Sequence, residues 1–351
     1  MVHEISLNEI YRLKNTVFID VRSENEYQEG TIPGAYNIPL FNNEERAKIG
    51  AIYTQESPKK AAEIGLQVVS SKLPSLYKQV EMLAGKDPVM LFCWRGGMRS
   101  KSVAVILDLM GLSVYRLHGG YKAYRRSIVE FFSKEFPFHV VVLKGNTGTG
   151  KTEVLKQLKA EGYPVIDLEG LSNNRGSVFG HIGLGAQPTQ KQFESLLYRE
   201  ITNYVHFVYI LVECESKRIG RVTIPHSVYS AMQEGTQILI HDSLGHRAER
   251  LVKEYTQMVE RDIDLRNALE RLKKRIGKAS LAGLLDMLDK NDYEGFAGKL
   301  ILEYYDPLYG YPNEDNDSFD FCISNHSFED ALSNLRGFLD NKFNLGTLPL
   351  K

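Results

Sequence analysis

The chain has 351 residues, 43% of them hydrophobic and 25% charged, with a formal net charge of −1. That length favours two domains over a single core, and the near-neutral balance argues against a non-specific nucleic-acid coat while leaving room for a local basic face. No run of about eighteen apolar residues occurs and "MVHEISLNEIYRLKN" lacks the apolar core of a secretion signal, so neither a membrane span nor export is expected.

In chain order, "TVFID" reads as a short buried strand, followed by "VRSENEYQEGTIPGAYNIPL" with a turn signal at Pro33-Gly34. "PVMLF" is a second strand running into Cys93, and "SKSVAVILDLM" has helical periodicity. "SVYRLHGG" closes a third strand on two glycines before the helical "YKAYRRSIVEFF". After a break at "SKEFPFH", the stretch "FHVVVLKGNTGTGKTEVLKQLKAEG" gives strand, glycine loop and helix. "YPVIDLEG", a polar span to Pro188, a helix around "KQFESLLYREI" and the strand "VHFVYILVE" follow, and from about Glu249 to Tyr305 the pattern is mostly helical. Strands alternating with helices imply an α/β fold with parallel sheets. The expected domains are 1–135 and 137–351, the second a P-loop domain with a helical extension.

"CWRGGMRS" places Cys93 between a strand and a helix, with Trp94, Arg95, Gly96, Gly97, Met98, Arg99 and Ser100 as a loop around it. Backbone N–H groups and two arginines there suit an anion transferring at the sulfur, and such donors can contribute about a hundredfold in rate. Trp94 is a packing anchor or a stacking surface. Two chemistries fit: uptake of a chalcogen by Cys93, or phosphatase chemistry, since Cys93, Arg99 and Ser100 have Cys-x5-Arg-Ser spacing. Cys214 and Cys322 sit in apolar stretches and are expected to be buried structural thiols. The three cysteines fit no metal-ligand spacing and leave one unpaired in any disulfide scheme, which points to a reducing cytoplasm.

"GNTGTGKT" comprises Gly145, Asn146, Thr147, Gly148, Thr149, Gly150, Lys151 and Thr152, a Walker pattern between an apolar strand and a helix. Its glycines allow N–H groups to face a phosphate, the helix adds its positive end, and Lys151 adds a point charge. Thr152 is placed to hold Mg²⁺, with Asp167 or Glu213, each at a strand end, as the acidic partner. Arg175, Arg218 and Arg221 are candidate phosphate or RNA contacts, and Lys273, Lys274 and Arg275 a candidate RNA face or a solvated helix surface. Tyr304, Tyr305 and Tyr309, with Asp306, serve a site or a core.

"FIDVRSENEYQEGTIPGAYNIPL" and "LHGGYKAYR" resemble rhodanese domains, with Thr31 where many members carry histidine, a change bearing on the scaffold. The whole chain resembles the bacterial tRNA 2-selenouridine synthases, through "NNEERAKIGAIYTQESPKKAAEIGLQ", "CWRGGMRS", "LEGLSNNRGSVFG", "QPTQKQFE", "VECESKRIGRVTIP" and "EYYDPLYGY". Asn174 stands where histidine is expected. The resemblance implies modification of the wobble uridine in tRNAs for Lys, Glu and Gln. A 2-thiouridine is S-geranylated with geranyl diphosphate, then selenium from selenophosphate is delivered through a Cys93 perselenide. It implies Mg²⁺ but no tightly bound cofactor, and a selenophosphate-supplying enzyme as a possible partner. The P-loop would then bind the prenyl diphosphate. The competing readings are a rhodanese-like cysteine phosphatase fused to a kinase-like P-loop module, and a redox-sensing GTP switch.

Overall fold

The computed structural model describes residues 2–10, 15–174, 185–256 and 261–343. Two compact units result: residues 1–133 with 189–198, and residues 134–188 with 199–351. Segment 189–198 belongs with the first unit, where Lys191 pairs with Glu29, Glu194 with Arg125, and Gln192 Oε1 accepts the Thr31 N–H at 2.8 Å.

The first unit is a parallel sheet of β1 (His3–Ile5), β2 (Val17–Asp20), β3 (Tyr36–Asn37), β4 (Val89–Phe92) and β5 (Val114–Leu117), in the order β1-β5-β4-β2-β3. The expected strands are β2, β4 and β5; β1 and β3 are added at the edges, too short to register as apolar runs. Central β4 is buried on both faces, as a helix-covered parallel sheet requires. Its side chains alternate: Val89 and Leu91 pack with Ile19, Val80, Val103 and Leu107, while Met90 and Phe92 pack with Tyr121, Tyr124 and Ile128. Helices Asn43–Gln55 and Pro58–Ser70 are capped by Asn42 and Ser57, which accept from the N–H groups of Glu45 and Lys60.

The second unit contains β6 (His139–Lys144), β7 (Val165–Ile166), β8 (Tyr209–Glu213), β9 (Arg218–Ile219), β10 (Val222–Thr223), β11 (Thr236–His241) and β12 (Phe321–Ser324). A parallel sheet runs β12-β11-β6-β8-β7, and β9 and β10 form a separate antiparallel pair. Strand β11 was not expected: of its six residues only Ile238, Leu239 and Ile240 form an apolar run. Helices Leu244–Thr256, Arg261–Asp289 and Tyr293–Leu300 form the expected extension around Leu265, Leu269, Leu284, Phe296 and Leu300. Among the described residues no helix is long and apolar enough to cross a membrane.

Candidate functional site

Strand β4 delivers Cys93 to the carboxyl end of the first sheet, where the thiol is buried with Sγ 3.3 Å from Ser100 Oγ. The Cys93 and Trp94 carbonyls accept the N–H groups of Tyr121 and Lys122 at 2.9 and 2.8 Å. That contact explains the second glycine of the pair that closes β5. Gly120 has φ +59°, and a Cβ on it would lie 2.3 Å from the Cys93 carbonyl oxygen and 2.4 Å from the Gly96 nitrogen. Helix Met98–Leu109 begins at Gly97 with no side-chain cap, leaving first-turn N–H groups for an anion.

The loop's arginines are arranged differently from the spacing argument. Arg99 Nη1 lies 2.7 Å from Glu26 Oε2, both side chains largely buried, and Arg46 Nε is 3.6 Å from the same oxygen. Burial works to raise the Glu26 carboxyl, but Arg99 chiefly, with the Ser23 N–H and Arg46, holds it below the usual range. Arg95 and Met98 are exposed. Trp94 packs on Tyr121 with ring centroids 5.9 Å apart. Beneath lies a buried pair: Arg22 Nη2 is 2.6 Å from Asp20 Oδ2, and its guanidinium sits 4.0 Å from the Tyr121 ring centroid. Thr31 Oγ1 donates to the same Asp20 oxygen at 2.8 Å, so this hydroxyl occupies the scaffold place noted for histidine.

In the second unit, β6 runs through Gly145–Gly150 into helix Lys151–Ala160. Gly148 has φ +81° and its missing Cβ would meet the Arg247 carbonyl oxygen at 2.6 Å. Lys151 Nζ donates to the Gly145 and Asn146 carbonyls at 2.9 and 3.2 Å and stands 3.6 Å from Glu213 Oε1. Behind the loop, buried Arg247 donates to the Thr147 carbonyl at 2.9 Å, to Asn313 Oδ1 at 3.0 Å and to the Asp306 carboxylate. Asn146 Nδ2 donates to the Tyr311 carbonyl at 2.7 Å, Arg250 Nη1 to the Gly148 carbonyl at 3.0 Å, and Asn325 Nδ2 to the Thr149 carbonyl at 2.8 Å. "EYYDPLYGY" therefore serves the loop's rear wall through Asp306, while Tyr304 and Tyr305 are buried in the helical core.

Thr152 Oγ1 donates to Glu213 Oε2 at 2.9 Å, and carboxylate oxygens of Glu169, Glu213 and Glu215 lie within 4.8 Å of one another. Asp167 does not join them: its Oδ1 accepts the Gly170 N–H at 2.8 Å, capping helix Leu168–Ser172. Burial, then the charges of Glu169 and Glu213, push the Glu215 carboxyl up to about 9. Three crowded carboxylates and a hydroxyl are hard oxygen donors short of positive charge, a set that fits Mg²⁺. Sequence reasoning missed Glu169 and Glu215, although both lie in stretches it singled out, "LEGLSNNRG" and "VECESKRIG". Cys214 and Cys322 are half-buried rather than buried. Cys214 follows β8 and its Sγ is 3.1 Å from the Tyr311 hydroxyl, while Cys322 lies on edge strand β12.

Of the basic candidates, Arg218 Nε donates to the Gly220 carbonyl at 2.9 Å, and the Arg221 N–H to Gln187 Oε1 at 3.0 Å, bracing β9 and β10. Lys273 pairs with Glu270 at 3.2 Å, Arg275 Nη1 is 3.2 Å from the Tyr304 hydroxyl, and Lys274 is exposed. Arg175 lies outside the described residues.

A strand-end cysteine in a parallel-sheet domain, followed by a phosphate loop in a second α/β domain, defines a rhodanese–P-loop fusion. Residues 6–127 match the rhodanese-like domain family, and residues 138–336 match the family described as tRNA 2-selenouridine synthase AAA domain. A tRNA 2-selenouridine synthase of Hydrogenovibrio crunogenus is 32% identical over 92% of this chain and 96% of its own. Those of Sulfurovum sp. and Pseudomonas syringae pv. syringae are each 32% identical, over 87% and 86% of this chain and 91% and 90% of theirs. The chain belongs to the tRNA 2-selenouridine synthase family.

Proposed function

We propose that this enzyme converts 2-thiouridine at the tRNA wobble position to 2-selenouridine in two steps, acting on tRNAs for Lys, Glu and Gln. In the first, the thiocarbonyl sulfur attacks C1 of geranyl diphosphate, the C1–O bond breaks and pyrophosphate leaves. Lys151 and the N–H groups of the loop and helix Lys151–Ala160 bind the departing diphosphate. Thr152 and Glu213, with Glu169 and Glu215, would hold Mg²⁺, which when bound neutralises charge on the leaving group. Alkylation makes the sulfur a good leaving group. In the second step Cys93 Sγ attacks the selenium of selenophosphate, and the Se–P bond breaks with its electron pair going to phosphorus, which leaves as phosphite. The terminal selenium of the perselenide attacks C2, and the C2–S bond breaks as geranylthiolate leaves. A small-molecule thiol then attacks Cys93 Sγ and breaks the S–Se bond, which leaves selenium on the base, and a second thiol reduces the resulting mixed disulfide.

A diphosphate at the loop is favoured above all by the seat around Lys151, with its carbonyl-held ammonium, Thr152 and three carboxylates. A cysteine-phosphatase reading fares worse, because the Arg99 guanidinium it requires over the loop is paired with Glu26.

The test is mass spectrometry of nucleosides from a 2-thiouridine tRNA given geranyl diphosphate and then selenophosphate. The expected result is geranylated nucleoside, then selenouridine only with Cys93 intact. Unchanged nucleoside with tRNA bound and both donors present overturns the reading, as does ATP hydrolysis matching the rate of modification.

A further inference from the structure

We propose that Asp242, His246 and His326 form a second metal site in the P-loop domain, for one borderline-soft divalent ion of the Zn²⁺ class. Three elements build it. Strands β11 and β12 are parallel neighbours with His241 opposite Ser324, so the chain leaving them brings Asp242 beside Asn325 and His326. Helix Leu244–Thr256 starts just after Asp242 and presents His246, four residues on, in its first turn. The Asp242 side chain is fully buried, whereas those of His246 and His326 are 40% and 70% exposed, giving a carboxylate floor beneath two open imidazoles.

The donor atoms are already spaced for a shared ion. Asp242 Oδ1 is 3.0 Å from His246 Nδ1 and 3.3 Å from His326 Nδ1, and the three ligand atoms lie within 4.8 Å of one another. Ligands about 2.0–2.1 Å from a tetrahedral ion are separated by about 3.3–3.4 Å, close to these values. Hydrogen bonding alone accounts poorly for the cluster. The Ser243 N–H also reaches Oδ1, at 2.7 Å, so three groups crowd one oxygen that has two in-plane lone pairs. Arg250 Nη1, 2.7 Å from Oδ2, occupies the other oxygen and leaves Oδ1 for the ion, orienting the carboxylate as outer partners of metal ligands do.

Two imidazole nitrogens and one carboxylate oxygen select Zn²⁺, Co²⁺ or Ni²⁺ over Mg²⁺, and the fourth position faces solvent. The all-oxygen group at Glu169, Glu213 and Glu215 has the opposite preference, so the domain would bear two sites of different softness. The softer one is tied to the phosphate loop: Arg250 also holds the Gly148 carbonyl, and Asn325, next to His326, holds that of Thr149.

The test uses the full chain, free of any histidine tag and carrying Cys93→Ser so that the loop thiol takes no part. Zn²⁺ is titrated against a chromophoric chelator, and Co²⁺ binding is followed by visible absorption. One equivalent of Zn²⁺ is expected, insensitive to excess Mg²⁺ and retained in Glu215→Gln. His326→Ala and the pair His246→Gln with His326→Ala should each weaken it at least about tenfold, with metal-free melting curves like the parent's. Failure to take up an equivalent, undiminished uptake in the double variant, or a thiolate-to-cobalt band would each overturn the site. None of these results depends on tRNA modification.

Discussion

Arg99 Nη1 lies 2.7 Å from Glu26 Oε2, so the arginine that sequence spacing places in the cysteine loop is held by a carboxylate of helix Glu24–Glu29. Through this pair Arg99, in the first turn of helix Met98–Leu109, ties the start of that helix to Glu26. Arg99→Ala should therefore slow selenium loading of Cys93 by about tenfold while sparing geranylation, a partial loss of orientation rather than of a reacting group. Glu26→Gln should reproduce it. Loading is read by intact-protein mass spectrometry. A complete loss with Arg99→Ala and none with Glu26→Gln would mean that Arg99 touches selenophosphate directly.

Gly120 and Gly97 flank the same loop but differ in what surrounds them. A Cβ at Gly120 meets the Cys93 carbonyl at 2.3 Å from a backbone with φ +59°, while one at Gly97 meets nothing within 4 Å. Gly120→Ala should cost roughly 2 kcal/mol or more, since strain and backbone displacement add. Gly97→Ala should cost under about 1 kcal/mol, as an open site does. Urea melts of the two variants decide; equal losses would contradict the close approach of the two chain segments.

Much of this was legible in the sequence, for a physical reason: strand–loop–helix turns that hold anions need glycines, a lysine and a cysteine at fixed offsets, and those offsets survive on the page. Cys93, Lys151 and Thr152 were singled out that way, and the structure places Cys93 at a strand end and Lys151 and Thr152 at the start of helix Lys151–Ala160. What the offsets do not carry is side-chain direction. Arg99 has the right spacing for an anion cradle but leans to Glu26, and Asp167 ends a strand yet caps the next helix. Arg247 and Asp306 could not be paired in advance, being 59 residues apart and joined only through the helical extension. Glu215 lies two residues beyond the strand-end Glu213, and only the fold turns both toward Glu169.

On the proposed two-step reading, Lys151 acts in the first step and not in the second. Its ammonium rests on the Gly145 and Asn146 carbonyls, positioned over the phosphate loop. Lys151→Ala should lower geranylation by about a hundredfold or more, the scale for removing a charge from a developing anion. Perselenide formation on Cys93 should remain normal, and selenouridine should form normally from tRNA supplied already geranylated. Nucleoside mass spectrometry on the two tRNA forms reads both steps. Loss of both would place Lys151 in a function common to them, such as binding the tRNA.

Glu215 sets a pH dependence with a defined sign. Burial beside Glu169 and Glu213 raises its carboxyl from the ordinary 4.5 to about 9, so between these values the folded chain holds a proton that the unfolded chain releases. The associated stability is fully present below about pH 4.5 and is lost as pH rises through about 9. In EDTA the melting temperature should fall by a few degrees, roughly, between pH 6 and pH 9, and Glu215→Gln should flatten that decline. Mg²⁺ competes with the proton for the same oxygens, so its stabilising effect should grow over the same interval. Parallel curves for parent and variant, or a Mg²⁺ effect independent of pH, would show that Glu215 neither carries the proton nor contributes to the metal seat.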